Sequence, residues 1–145
     1  MCSSDLVANL LVTAGYNRVV AVDLHAAQIQ GFFDIPVDHL YARPVMIDRV
    51  RQLDTKDMMI VSPDIGGTKL ARAYAKELGC DLAIIDKRRI SGEQTVIEHV
   101  IGDVKNRDVV LVDDMVSTGG SIVDAARIVK EKGARKAFKI GRAHV

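Results

Sequence analysis

The chain has 145 residues, 27% of them charged, and a formal net charge of +1. That length suffices for one domain with a sizeable core, while acids and bases are too evenly mixed for a nucleic-acid platform, which needs a clustered basic face. Aromatic residues make up 4% with no Trp, which argues against a base-stacking surface; no apolar run approaches the ~20 residues that span a membrane, and no signal peptide is apparent.

Hydrophobic periodicity predicts a helix from Asp5 to Ala14, a strand from Arg18 to Asp23 and a short helical piece over Ala27 to Phe33. A short strand at Val37 to Tyr41 precedes a helix from Pro44 to Leu53. Strands follow at Met58 to Val61 and Leu82 to Asp86, with the amphipathic helix Thr68 to Leu78 between them. Further strands are expected at Val96 to Ile101, Val109 to Asp113 and Lys136 to Lys139, with a helix from Gly120 before the last. Alternating β and α elements with apolar strands predict an α/β fold with a parallel, doubly wound sheet.

Chemistry concentrates where those strands end. Asp113 and Asp114 close the all-apolar run Val109 to Val112, a place where ligands of open α/β sheets collect. Ser117, Thr118, Gly119, Gly120 and Ser121 then supply hydroxyls and backbone N–H groups at a helix start, a ready cradle for phosphate. Acids for sugar hydroxyls beside such a cradle imply a phosphorylated sugar; the plainer alternative is a surface turn capping a helix. His25, in DLHAAQIQGFF (Asp23 to Phe33), reads from its position alone as a structural histidine. Asp64, in SPDIGG (Ser62 to Gly67), reads by itself as a helix cap. The cations of LAIIDKRR (Leu82 to Arg89) read by composition as a solvated face, and ISGEQT (Ile90 to Thr95) is polar and glycine-bearing, as a closing lid requires.

Together these strings carry a family resemblance. VVLVDDMVSTGGS (Val109 to Ser121) resembles the phosphoribosyl pyrophosphate (PRPP) loop shared by type I phosphoribosyltransferases and ribose-phosphate pyrophosphokinases. DLHAAQIQGFF is similar to the pyrophosphokinase signature, which simple transferases lack. The resemblance implies an α/β, doubly wound parallel sheet of the type I phosphoribosyltransferase type, here truncated. It also implies transfer of pyrophosphate from ATP to the C1 hydroxyl of ribose 5-phosphate, giving PRPP and AMP. On that resemblance Asp113 and Asp114 contact ribose hydroxyls, Ser117 through Ser121 hold the 5-phosphate, and Lys87 with Arg89 are catalytic on a mobile loop. His25 contacts Mg–ATP, and His25 and Asp64 belong to the Mg²⁺ site. Gln28, Gln30, Phe32 and Phe33 are packing and helix-forming residues, and Arg88 is solvated charge. The pattern departs at Ser117, where an acid is usual, at Ser121 in place of Thr, and at Leu70 in place of Arg, with Arg72 retained. A homo-oligomer in the cytoplasm, with neither nucleic-acid nor membrane partners, is the implied setting. Two other readings remain: a transferase that consumes PRPP, and a non-catalytic regulatory relative that assembles with active subunits.

The two ends read differently. IGRAHV (Ile140 to Val145) can be written ATC GGA AGA GCA CAC GTC, whose reverse complement, read from GTG as initiator, encodes Met1 to Asp5. Residues 1–6 and 140–145 are therefore expected to be translated sequencing adapter around an incomplete gene, which makes this chain inactive alone. Residues 7–42 are then the C-terminal part of a first phosphoribosyltransferase-like domain, and 43–139 an incomplete second one. Setting Cys2 aside leaves Cys80, a small buried residue that fits a reducing cytosol.

Overall fold

The computed structural model describes residues 3–89, 96–116 and 119–143, arranged as two compact units, 1–44 and 45–145. In the first unit the helix α1 (Ser3–Thr13) is followed by β1 (Val19–Val22), a 3₁₀ turn (Ala27–Phe32) and β2 (Val37–Leu40). β1 and β2 pair in parallel, with Val19 opposite Val37. Gln28, Gln30 and Phe32 form the helical turn as expected, but none of its residues is buried and Phe32 is exposed, while Phe33 after it is half-buried. Gln30 instead supports the turn locally, its side-chain amide donating to the Ala27 carbonyl at 3.0 Å.

The helix α2 (Arg43–Arg51) crosses the boundary between the units. The second unit continues with β3 (Met58–Ser62), α3 (Thr68–Leu78), β4 (Asp81–Arg89), β5 (Val96–Ile101), β6 (Asp108–Val116), α4 (Gly120–Glu131) and β7 (Lys136–Ala143). Its five strands form one sheet in the order β5-β4-β3-β6-β7. β3 pairs in parallel with β4 and β6, and β6 in parallel with β7. The sheet is parallel as expected except at one edge, where β5 lies antiparallel to β4, with Lys87 opposite Glu98 and Arg89 opposite Val96. That pairing carries β4 through Arg89, so the cation run expected to open a loop is strand instead. Ile90 to Thr95, the expected lid, lies outside the described residues.

The apolar strands follow from a sheet covered on both faces. Side chains alternate along a strand, so Met59, Val61, Val109 and Leu111 join Ala125, Ile128 and Val129 of α4 in one core. Ile60, Val110 and Val112 pack instead with Ile47 and Val50 of α2 and Ala71, Tyr74 and Ala75 of α3. Each fully buried Val or Ile contributes roughly 1.5–3 kcal/mol. α3 ends at Gly79, whose N–H donates to the Ala75 carbonyl. Cys80, beside that cap, is half-buried, and burial pushes its thiol pKa up.

The starts of the strands are tied by ion pairs. Asp108 is buried and accepts from the Arg135 guanidinium at 2.8 Å and from the Lys56 N–H at 2.8 Å. Arg107 bridges Asp57 at 2.9 Å and Asp81 at 2.7 Å. The other end of the sheet, where the parallel strands finish, is left for chemistry.

Candidate functional site

β3 leads through α3 to β4 on one side, while β6 lies on its other side, so connections diverge between β3 and β6. Crevices at such switch points, outside the carboxyl ends of the strands, are the usual ligand sites of open α/β sheets. A cleft of about 210 Å³ opens here, lined by Asp64, Asp113, Asp114, Met115, Val116, Gly119, Ser121 and Ile122.

Local chemistry sets each wall. β3 ends in buried Ser62, whose hydroxyl donates to the Asp64 carbonyl at 2.7 Å. The Asp64 carboxylate accepts from the Gly67 N–H at 2.7 Å, which closes the turn ahead of α3. A Cβ on Gly67 would approach the Ser62 hydroxyl to 3.0 Å, so the turn fits a residue without one. On β6 the register with β7 shifts between Val112 and Met115. A bulge of this kind breaks the strict alternation of a strand and re-aims side chains, which lets the consecutive residues Asp113, Asp114 and Met115 line one cleft. Gly119 then turns the chain into α4 with φ at +83°, in the left-handed region that glycine occupies without strain.

The cleft is electrostatically unbalanced. Burial, then the neighbouring Asp114 and Asp64 carboxylates, raise the Asp113 pKa above its ordinary value. Lys87, on β4, places its ammonium 3.8 Å from the Asp124 carboxylate of α4. Among the described residues no three His, Cys, Asp or Glu side chains converge to hold a metal ion. Carboxylates gathered in one cleft nevertheless suit a hard cation such as Mg²⁺, which commonly takes one or two protein carboxylates and completes its shell with phosphates and water.

Of the residues expected from the sequence, Asp64, Asp113, Asp114, Gly119 and Ser121 thus share one cleft, and Gly120 begins α4. Ser117 and Thr118 lie outside the described residues. Lys87 and Arg89 stand on β4. His25 belongs to the first unit, on the exposed loop after β1. That loop is anchored by the Leu24 N–H donating to His39 Nε2 at 3.0 Å and by the Ala42 N–H donating to the Asp23 carboxylate at 3.1 Å. Sequence reasoning did not single out Met115, Val116 and Ile122, although each adjoins a named site residue. Asp124 carried no motif signal.

Residues 41–145 match the phosphoribosyl transferase domain family. Over 137 residues the chain is 53% identical to a ribose-phosphate pyrophosphokinase of Chlorobaculum tepidum, covering 94% of this chain and 42% of that protein. The chain therefore spans less than half the length of the relatives it matches. The crystal structure of phosphoribosylpyrophosphate synthetase from Mycobacterium smegmatis superposes with a TM-score of 0.86 at 42% identity, over 97% of this chain and 46% of that one. A purine phosphoribosyltransferase from Pyrococcus horikoshii shares the fold, with a TM-score of 0.59 at 22% identity over 87% of this chain and 76% of that one.

Proposed function

The chain belongs to the phosphoribosyl transferase domain family, and on that premise we propose that it serves a ribose-phosphate pyrophosphokinase, which moves the pyrophosphoryl group of ATP to the C1 hydroxyl of ribose 5-phosphate and yields PRPP and AMP. The observation that carries this reading is the cleft at the switch point, which Asp113 and Asp114 line together with Gly119 and Ser121 at the start of α4. Sequence identity of 53% to a protein of that name supports it. In this reading Asp113 and Asp114 accept hydrogen bonds from ribose hydroxyls. The backbone N–H groups and hydroxyls of Ser117 through Ser121 hold the 5-phosphate, aided by the positive end of the α4 dipole.

Attack by the C1 oxygen on the β-phosphorus of ATP breaks the bond between the α- and β-phosphates, and AMP departs. The protein contributes positioning and electrostatic stabilisation, with little covalent chemistry. Lys87 and Arg89 balance charge that develops on the transferring and leaving oxygens. Asp64 would hold Mg²⁺, which when bound supplies charge neutralisation to the phosphate oxygens, and His25 is assigned by itself to contact with Mg–ATP. Residues 7–42 and 43–139 belong, on this reading, to two successive phosphoribosyltransferase-like domains of a longer polypeptide. That polypeptide works as a cytoplasmic homo-oligomer.

The test is a turnover assay on the chain extended to the length of its relatives. AMP formation that requires both ATP and ribose 5-phosphate is the expected result. Turnover only with PRPP and a nucleobase would show a phosphoribosyltransferase, and no turnover with intact substrate binding would show a regulatory relative; either overturns the proposal.

A further inference from the structure

The Lys87–Asp124 ion pair joins β4 to α4, and Asp124 belongs to no motif. Asp124 stands three residues after Ser121 on α4. That spacing puts both on one helix face, with Asp124 about one turn further along than the cleft wall. Lys87 reaches α4 from the neighbouring layer, its ammonium 3.8 Å from the Asp124 carboxylate. The lysine side chain is 23% exposed and the aspartate 55%. The cation is thus largely enclosed while its partner faces water. A lysine side chain is long and rotatable, so its charge can leave Asp124 for a phosphate bound within its reach.

We propose that Asp124 is a positioning residue that holds Lys87 along α4 in the unliganded chain, so that phosphate entering the cleft must draw the ammonium away from this carboxylate. The inference rests on the proposed function, since it requires Lys87 to meet phosphate. Its consequence is a modest penalty on ground-state anion binding. Ion pairs with an exposed partner are weak, so the penalty is small and the exchange readily reversible.

A double-mutant cycle on the intact chain tests this, with inorganic pyrophosphate as probe at constant Mg²⁺ and ionic strength. Asp124→Asn should tighten pyrophosphate binding by about two- to fivefold. The same substitution in a Lys87→Ala background should change nothing, and Asp124→Glu should restore the wild-type affinity. Tightening that persists without Lys87 would reveal a general field effect and overturn the proposal. Unchanged or weaker binding in Asp124→Asn overturns it as well. The two ideas fail separately: weaker binding in Lys87→Ala with no effect of Asp124→Asn leaves the proposed function standing and removes only the positioning role. Absence of pyrophosphate binding in the wild-type chain removes both.

Discussion

Asp108 shows how a single side chain ties pH to folding. The Arg135 guanidinium first, with help from the Lys56 N–H and against the cost of burial, holds its pKa at about 2, below the ordinary 3.8. A carboxylate depressed in the folded state gives stability that is present above the unfolded pKa and lost as pH falls through the folded one. The chain should therefore lose stability between about pH 4 and pH 2, and Asp108→Asn should flatten that part of the profile in urea titrations across this range. Lys87 makes a different prediction. In the full-length enzyme Lys87→Ala should lower kcat by roughly 10³–10⁵, the range of cationic groups on transferring phosphates, while ribose 5-phosphate affinity stays within a fewfold. A loss carried by KM for ribose 5-phosphate would contradict the assigned role. Residues with a chemical signature were legible at this scale. Asp64, Asp113 and Asp114 stood at strand ends in the sequence and share the cleft in space. Asp124 was not legible, because a lone acid on an amphipathic helix acquires meaning only from what packs opposite it.

At the scale of elements, glycines mark where the backbone is under most demand. Gly102 follows β5 with φ at +114°, and a Cβ there would stand 2.8 Å from the Ala83 Cβ. Gly119 also has positive φ, at +83°, but a Cβ would meet nothing within 4 Å. Gly119→Ala should then cost only the backbone term, about 1–2 kcal/mol, whereas Gly102→Ala should cost clearly more because β4 must shift to relieve the clash. Denaturant midpoints of the two variants check this ordering; equal losses would contradict it. Most elements could be read from the sequence because their signals are local. Apolar runs became strands buried on both faces, and the 3.6-residue pattern of Thr68 to Leu78 became α3 over the same residues. Two features depend on partners distant in sequence and could not. The family resemblance implied that Lys87 and Arg89 open a loop, yet pairing with β5 keeps them in β4. The acids at Asp113 and Asp114 suggested a strand end, yet β6 continues through a bulge to Val116 alongside β7.

On the scale of the whole molecule, the sheet of the second unit divides its labour by end. Strand starts carry the Asp108–Arg135 and Arg107 ion pairs, and the ends of β3 and β6 carry the cleft. The fold was legible because alternating βα segments admit few topologies, and the order β5-β4-β3-β6-β7 places the acid-bearing ends of β3 and β6 side by side. What the local signals could not supply was the antiparallel edge. The cleft's acid cluster also has a stability cost. Asp113 has a raised pKa through burial and its acidic neighbours, so its contribution to stability is lost as pH rises through that value, and its charge opposes folding at neutral pH. Asp113→Asn should therefore fold at least as well as wild type at pH 7. That makes it the right control for the most direct test of the cleft: titration of the chain with ribose 5-phosphate in the presence of Mg²⁺, followed by amide NMR. The expected result is saturable shifts centred on Asp113 to Ser121, abolished in Asp113→Asn while its thermal midpoint is maintained. Absence of saturable shifts in the wild type, or the same binding in Asp113→Asn, would contradict the assignment of this cleft to a phosphorylated ribose.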